Sequence, residues 1–128
     1  MVPCQDKDKC ADTGGEIYPP GIRYAVNWCY EKYRRPIIIT ENGIADAKDE
    51  KRRSYIMQYL QELHKAISED GVPVKGYFHW TLTDNYEWAK GFTMKFGLFK
   101  VDHETKKRIP TDAVPFYREV ATTNSLPE

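Results

Sequence analysis

Apolar residues along this chain recur at helical spacing in some stretches and form short continuous runs in others. From residue 20 onward they recur every three or four positions, at Ile22, Val26, Cys29 and Tyr33. This spacing predicts a helix that starts near Pro20 and ends before Pro36, because the residue ahead of a proline avoids the α region. Residues 37–40 then form a continuous β-branched run, which predicts a strand buried on both faces.

The strongest helical pattern covers residues 46–68. Acidic side chains gather in its first turn, where they suit the positive end of the helix dipole. Its apolar positions fall on one stripe: Tyr55, Ile56, Tyr59, Leu60, Leu63, Ala66 and Ile67. Gly71 follows the pattern, as glycine often does at the end of a helix. A second short strand is predicted over residues 74–80, a hairpin over residues 92–101 and 107–109, and a last helix over residues 111–122.

The order of these elements indicates parallel α/β units, because buried strands alternate with amphipathic helices. Two parallel strands leave their outer edges with unpaired backbone groups. The chain is therefore predicted to be part of a larger sheet or barrel. Residues 1–15 are polar and turn-rich, so they are predicted to form a loop or a poorly ordered start.

The composition argues against several classes of partner. The chain has 19 basic and 19 acidic residues, and this balance disfavours nucleic acid and anionic membrane surfaces. No apolar run approaches the ~20 residues of a membrane span, and no signal-peptide core is visible, so a cytoplasmic location is expected. Aromatic residues make up 13% of the chain, which fits either carbohydrate recognition or an aromatic-rich core.

The three cysteines are an odd number and do not indicate a disulfide framework. Two interpretations of Cys4 and Cys10 stay open, a bond between them or metal ligation. No histidine or further cysteine stands at ligand spacing, so no metal or other cofactor is expected. Reduced thiols are the expectation for a cytosolic protein.

Two chemically rich segments follow the two predicted strands. Glu41 ends the first β-branched run and precedes the turn pair Asn42-Gly43, while Trp80 opens a segment rich in aromatic and acidic residues. Functional groups in parallel α/β folds collect at the carboxyl ends of strands, so the two segments are expected to meet. The alternatives are a helix cap or structural ion pair for Glu41 and core packing for the aromatic residues. His79 is expected to point away from Trp80 and to pack.

Three motifs resemble glycoside hydrolase family 1, the β-glucosidases and β-galactosidases. They are residues 39–43 (Ile-Thr-Glu-Asn-Gly), 80–88 (Trp-Thr-Leu-Thr-Asp-Asn-Tyr-Glu-Trp) and 91–98 (Gly-Phe-Thr-Met-Lys-Phe-Gly-Leu). Residues 86–92 (Tyr-Glu-Trp-Ala-Lys-Gly-Phe) are most similar to the archaeal branch, and the resemblance runs from about residue 12 to the C-terminus. The family fold is a (β/α)₈ barrel of 200 or more residues. The resemblance thus implies an α/β fold class: the C-terminal part of a catalytic TIM barrel, with strands seven and eight and a β-hairpin.

The resemblance also implies roles for individual residues. Glu41 is expected to be the nucleophile of a retaining β-glycosidase, which forms a covalent glycosyl-enzyme. Among the sugar ligands, Glu87 is expected to accept hydrogen bonds from O4 and O6, and Trp88 to donate to O3. Trp80 is expected to form the stacking floor, and Phe96 is expected to line the O6 end. A carboxylate that faces O6 repels phosphate, so unphosphorylated β-glucosides or β-galactosides are the expected substrates.

Retaining enzymes also need an acid carboxyl about 5–5.5 Å from the nucleophile. In the family this acid is the Glu of an Asn-Glu-Pro motif, which does not occur in these 128 residues. The isolated chain is therefore expected to be inactive. Its expected partners, besides a β-glycoside or monosaccharide, are the N-terminal half of a barrel or a second copy. The alternatives are a non-catalytic sugar-binding or assembly module and an inactive remnant.

Overall fold

The computed structural model describes residues 4–127 of the chain. Its helices and strands follow the predicted order: α1 (Pro20–Tyr33), β1 (Ile37–Asn42), α2 (Arg52–Ser68), β2 (Val74–His79), β3 (Phe99–Val101), β4 (Arg108–Pro110) and α3 (Ala113–Thr123). Strands β1 and β2 pair in parallel, and β3 pairs with β4 in an antiparallel hairpin. The predicted α/β units and the hairpin are confirmed. No helix within the described residues is long and apolar enough to cross a membrane.

The register between β1 and β2 is irregular near the end of β1. Ile39 pairs with Tyr77 and Asn42 pairs with His79, so two residues of β1 stand opposite Phe78 alone. An extra residue in one strand changes the face to which the following side chains point. Ile39 packs against the helix side of the sheet and Asn42 bonds a helix residue. Glu41 is exposed, and because successive side chains of a strand alternate between faces, its position next to Asn42 puts it on the opposite face, that of Phe78.

The prediction that β1 is buried on both faces is wrong. The exposed fraction is 56% for Ile38 and 61% for Phe78. Helices α1 and α2 cover only the other face of the sheet, where Ile37, Ile39 and Val74 pack. Within residues 4–127 no element covers the face that carries Ile38 and Phe78.

Helix α2 joins the two hydrophobic clusters of the fold. One cluster lies between α2, the hairpin and α3: Ile44, Tyr55, Ile56, Tyr59, Leu98, Ala113 and Phe116. The other lies between α1, α2 and the sheet: Val26, Leu63, Ala66 and Val72. The predicted apolar stripe is confirmed except at its end, since Ile67 is exposed.

The prediction that this helix starts at residue 46 is wrong, because it starts at Arg52. The buried Asp46 carboxylate accepts the backbone N–H groups of Asp49, Lys51 and Arg52 at 3.1, 2.8 and 2.9 Å. It therefore satisfies the start of the helix from outside. The hairpin is also shorter than predicted, because residues 92–98 form irregular structure ahead of β3.

The segment ahead of α1 is a loop fastened at several points. Cys4 and Cys10 form a disulfide, so the expectation of reduced thiols is wrong for this pair and no longer supports a cytoplasmic location. The Asp12 backbone N–H donates to the Ala45 carbonyl at 2.9 Å, and its carboxylate accepts the Ala47 N–H at 2.7 Å. The prediction for residues 1–3 lies outside the described residues.

Candidate active site

Glu41 lies at the end of β1, and the residue after it, Asn42, forms side-chain hydrogen bonds with two tyrosines. The Asn42 side-chain amide donates to the Tyr55 hydroxyl at 3.1 Å and accepts from the Tyr77 hydroxyl at 2.9 Å. Burial raises the pKa of both tyrosines above the usual range, so the two hydroxyls stay protonated and able to donate. This arrangement holds the backbone beside Glu41 in one position.

The ends of β1 and β2 are in direct backbone contact. The Trp80 N–H donates to the Asn42 carbonyl at 2.9 Å. A Cβ atom on Gly43 would overlap the Trp80 carbonyl oxygen, so only glycine allows this approach. The peptide bond between Trp80 and Thr81 is cis. Glu41 and Trp80 therefore lie on adjoining backbone segments, as the sequence predicts.

Phe96 is joined to the same place through Thr81. The Thr81 N–H donates to the Phe96 carbonyl at 3.2 Å, and the Leu98 N–H donates to the Thr81 carbonyl at 2.8 Å. A Cβ atom on Gly97 would overlap the backbone of the residues that flank this pairing. The structure thus brings together the backbone that carries Glu41, Trp80 and Phe96.

Asp84 is a structural residue of this region. Its buried carboxylate accepts the Gly97 N–H at 3.0 Å and the Val101 N–H at 3.3 Å, and the Lys95 ammonium lies 3.7 Å from it. Both oxygens of this carboxylate are occupied by these partners, and the side chain is buried inside the fold. Asp84 therefore does not replace the acid that the family motif would supply.

Glu87 and Trp88 lie on a tight turn within the loop that follows Trp80. The Glu87 N–H donates to the Gly91 carbonyl at 2.7 Å, and the Lys90 N–H donates to the Glu87 carbonyl at 2.8 Å. Trp88 adopts a left-handed φ of 43°, and its side chain is 81% exposed. Core packing, the alternative considered for this tryptophan, does not occur within residues 4–127.

His79 packs behind the site, as predicted. Its ring lies 6.0 Å from the ring of Tyr117. Both ring nitrogens are buried without a hydrogen-bond partner among the described residues. Burial, with a smaller contribution from the positive charge of Arg52, lowers the pKa of His79 to about 4. The imidazole is therefore neutral near pH 7.

Sequence reasoning missed several residues that shape the site, above all Asn42, Tyr55 and Arg52. Arg52 stands between Lys51 and Arg53, and such a basic run normally indicates a solvated helix face. The apolar stripe predicts Tyr55 as a core residue of the helix but gives no sign of its bond to the strand. The pair Glu41-Asn42 at the strand end is the one signal that could have drawn attention to Asn42.

Comparison with known proteins identifies the family of this chain. The model of the family described as glycosyl hydrolase family 1 matches residues 5–126. The chain belongs to this family. The match begins ahead of residue 12, so the resemblance covers more of the N-terminal loop than the sequence motifs indicate. Membership in glycosyl hydrolase family 1 confirms the resemblance.

Family 1 relatives are similar over nearly the whole chain. The β-galactosidase of Pyrococcus woesei is 46% identical over 123 residues, which are 95% of this chain and 24% of that protein. The β-glycosidase structure from Pyrococcus horikoshii has a TM-score of 0.92 at 42% identity, covering 99% of this chain and 30% of that one. A family 1 β-glucosidase from Thermotoga maritima has a TM-score of 0.89 at 36% identity, covering 98% and 30%.

The chain spans about a quarter of the length of these curated family 1 relatives. The structural neighbours are β-glycosidases with a TIM-barrel fold. The α/β fold class is therefore confirmed in the form of a partial barrel.

Proposed function

We propose that this chain supplies the nucleophile and the sugar-binding loop of a retaining β-glycosidase that acts on unphosphorylated β-glucosides or β-galactosides. Strands β1 and β2 would be the seventh and eighth strands of the barrel. The observation that carries the proposal is the extra residue in β1, which leaves Glu41 exposed on the Phe78 face beside the Trp80 backbone. A nucleophile needs this access, and within residues 4–127 the Glu41 carboxylate has no helix-capping hydrogen bond or ion pair.

In the proposed reaction a Glu41 carboxylate oxygen attacks the anomeric carbon as the bond to the leaving oxygen breaks. The leaving oxygen takes a proton from an acid carboxyl. Water later attacks the anomeric carbon as it gives a proton to the same group, and the bond between this carbon and the Glu41 oxygen breaks, which releases the sugar and restores the carboxylate. Trp80 provides a stacking face for the ring, and Phe96 lines its O6 end. The hydroxyls are held by the Glu87 carboxylate and the Trp88 indole.

We expect the acid carboxyl to come from residues outside these 128, because they contain no Asn-Glu-Pro motif. Residue 84 is excluded by its buried contacts, and Glu87 is assigned to sugar binding. Family members carry this acid in an Asn-Glu-Pro motif of another strand. Hydrolysis by this chain is therefore proposed for a barrel that the remaining strands complete.

A chimera tests the proposal directly. The 128 residues replace the matching segment of the Pyrococcus horikoshii β-glycosidase, which is similar to 99% of this chain. Hydrolysis of an aryl β-glucoside is expected from the chimera, and Glu41→Gln is expected to remove it. Glu50→Gln is the matched control, because Glu50 is an exposed acid on the following loop. Full activity of the Glu41→Gln chimera would show that Glu41 is not the nucleophile.

Sugar binding without hydrolysis is the second candidate function for the isolated chain. The specific observation in its favour is the exposed Trp88 indole on a turn that hydrogen bonds hold in place. A change of tryptophan fluorescence on titration with glucose or galactose, lost in Trp88→Ala, is expected if the isolated chain binds sugar. No change up to high millimolar sugar would rule this candidate out.

A further inference from the structure

We propose that Arg52 is a positioning residue for the sugar-binding loop, residues 84–97. It fastens this loop, which carries Glu87, Trp88 and Phe96, to the segment that follows Glu41. The inference rests on the proposed function, because it concerns the distance between a nucleophile and the groups that hold the sugar. The inference adds Arg52 to the residues proposed for the site. Arg52 lies in helix α2 and is not one of the residues proposed to contact the sugar.

Arg52 is fully buried in the first turn of α2, with 0% of its surface exposed. Its guanidinium pairs with the Asp49 carboxylate. One terminal nitrogen, Nη2, donates to the Asp46 carbonyl at 2.8 Å and to the Lys95 carbonyl at 2.7 Å. A buried guanidinium needs an opposite charge and several acceptors to offset its lost hydration. Here its acceptors come from two different loops.

The Lys95 carbonyl is where these two loops meet. It accepts the Asp46 backbone N–H at 3.0 Å in addition to the Arg52 guanidinium. Lys95 directly precedes Phe96, and its ammonium lies 3.7 Å from the Asp84 carboxylate, which in turn holds the Gly97 N–H. Arg52 therefore holds the C-terminal end of the sugar-binding loop. Asp84, the first residue of the loop, is bound to the same end through Lys95 and Gly97.

The neighbouring basic residues behave differently. Lys51 donates to the carbonyls of Lys7 and Cys10 in the N-terminal loop, and the exposed Arg53 lies over the ring of Phe116 at 5.8 Å. Within residues 4–127 neither side chain donates a hydrogen bond to residues 84–97. Arg53 therefore serves as a matched control of the same residue type, next in sequence.

The test compares Arg52→Met, Arg52→Lys and Arg53→Met in the chimera described above. The concentration of active sites is measured in each variant by trapping with a fluorinated glycoside. For Arg52→Met we expect KM for an aryl β-glucoside to rise about tenfold to a hundredfold, because small displacements of positioning groups are costly. Arg52→Lys keeps a donor for one carbonyl and is expected to restore part of the affinity. Arg53→Met should keep the original KM.

A purely structural role predicts a different result. It would lower the number of active sites and leave the KM of those that remain unchanged. Amide exchange adds a readout that needs no activity: the Gly97 and Leu98 amides should exchange at least about tenfold faster in Arg52→Met and Arg52→Lys. An unchanged KM together with unchanged exchange of these amides would overturn the proposal while leaving the proposed function intact.

The two possible failures can be told apart. If the unsubstituted chimera folds but does not hydrolyse the glycoside, the proposed function fails, and exchange of the Gly97 and Leu98 amides still decides whether Arg52 fastens the loop. If Arg52→Met does not fold, Arg52→Lys decides the matter. A KM for Arg52→Lys equal to that of the unsubstituted chimera, with unchanged amide exchange, then overturns the proposal.

Discussion

The Asn42 side-chain amide donates a hydrogen bond of 3.1 Å to the Tyr55 hydroxyl, which links the end of strand β1 to helix α2. Asn42 directly follows the proposed nucleophile Glu41. This bond holds the end of the strand against helix α2. The position of Glu41 thus depends on a helix residue that would otherwise count only as core.

Removal of the Tyr55 hydroxyl should destabilise the chain measurably. Tyr55→Phe leaves the Asn42 amide without this partner, and an unsatisfied half-buried donor costs about 1–3 kcal/mol of unfolding free energy. Tyr24→Phe is the control, because Tyr24 is exposed on α1. Urea unfolding followed by circular dichroism measures both. Equal stabilities of the two variants would contradict the structural role of this bond.

Gly43→Ala should be strongly destabilising. The added Cβ overlaps the Trp80 carbonyl oxygen, so the ends of β1 and β2 have to separate, with a loss of about 3 kcal/mol or more. In Gly15→Ala the closest recorded atom to the new Cβ is the Thr13 hydroxyl at 3.8 Å, and little change is expected. A Gly43→Ala chain that melts within two degrees of the Gly15→Ala chain would refute this prediction.

His79 should make the chain less stable in acid. Its pKa is about 4 in the folded chain against 6.5 for the ordinary side chain, so the unfolded chain binds more protons between these values. Stability is therefore present above pH 6.5 and lost as the pH falls toward 4, by about 3 kcal/mol from this group. Unfolding free energies measured from pH 8 to pH 4 give the slope.

Two variants isolate the contribution of His79 to this slope. His79→Phe removes the titrating group and should flatten the profile between pH 6.5 and pH 4. His64→Gln changes an exposed histidine of α2 and should keep the original slope. A profile of His79→Phe as steep as that of the unsubstituted chain would assign the acid sensitivity to other groups.

Azide should rescue a chimera that lacks the nucleophile. Glu41→Gly is expected to reduce hydrolysis at least about a thousandfold, because no group remains to attack the anomeric carbon. Azide can occupy the vacated space and attack an activated aryl β-glycoside, which yields the α-glycosyl azide. Glu50→Gly should remain active and produce no azide adduct. Failure to detect the α-azide under any condition would count against the assigned role.

The isolated chain should self-associate. Ile38 and Phe78 are exposed on the face of the sheet that no described element covers, and both strands retain an unpaired edge in the two-stranded sheet. Sedimentation at micromolar concentration should show oligomers, which Ile38→Lys shifts toward monomer. Ile109→Lys, on the hairpin, is the control because Ile109 is similarly exposed. A monodisperse unsubstituted monomer would exclude this expectation.

Much of the fold was predictable from local patterns. The spacing of apolar residues predicts α1 close to its observed bounds and α3 to within two residues at its start, because a helix buries one stripe of its own sequence. The motif around Glu41 and the segment opened by Trp80 indicate the family, which the comparison confirms. The individual roles of Glu41, Trp80, Glu87, Trp88 and Phe96 stay predictions.

Other features depend on contacts between residues far apart in the chain. The start of α2 was misplaced because Asp46 binds the helix N-terminus from an external loop. The open face of the sheet agrees with the expectation of a larger sheet or barrel, because burial on both faces requires more strands and helices than residues 4–127 contain.

The sequence by itself determined the helices, the strands, the family and the candidate residues at the strand ends. The tertiary structure decided which face of the sheet carries Glu41, through an extra residue visible only when β1 is paired with β2. It also decided that Arg52 is a buried link between two loops and not part of a solvated basic run. Periodicity records which side chains avoid water, whereas register and the partners of a buried charge are set by residues distant in the chain.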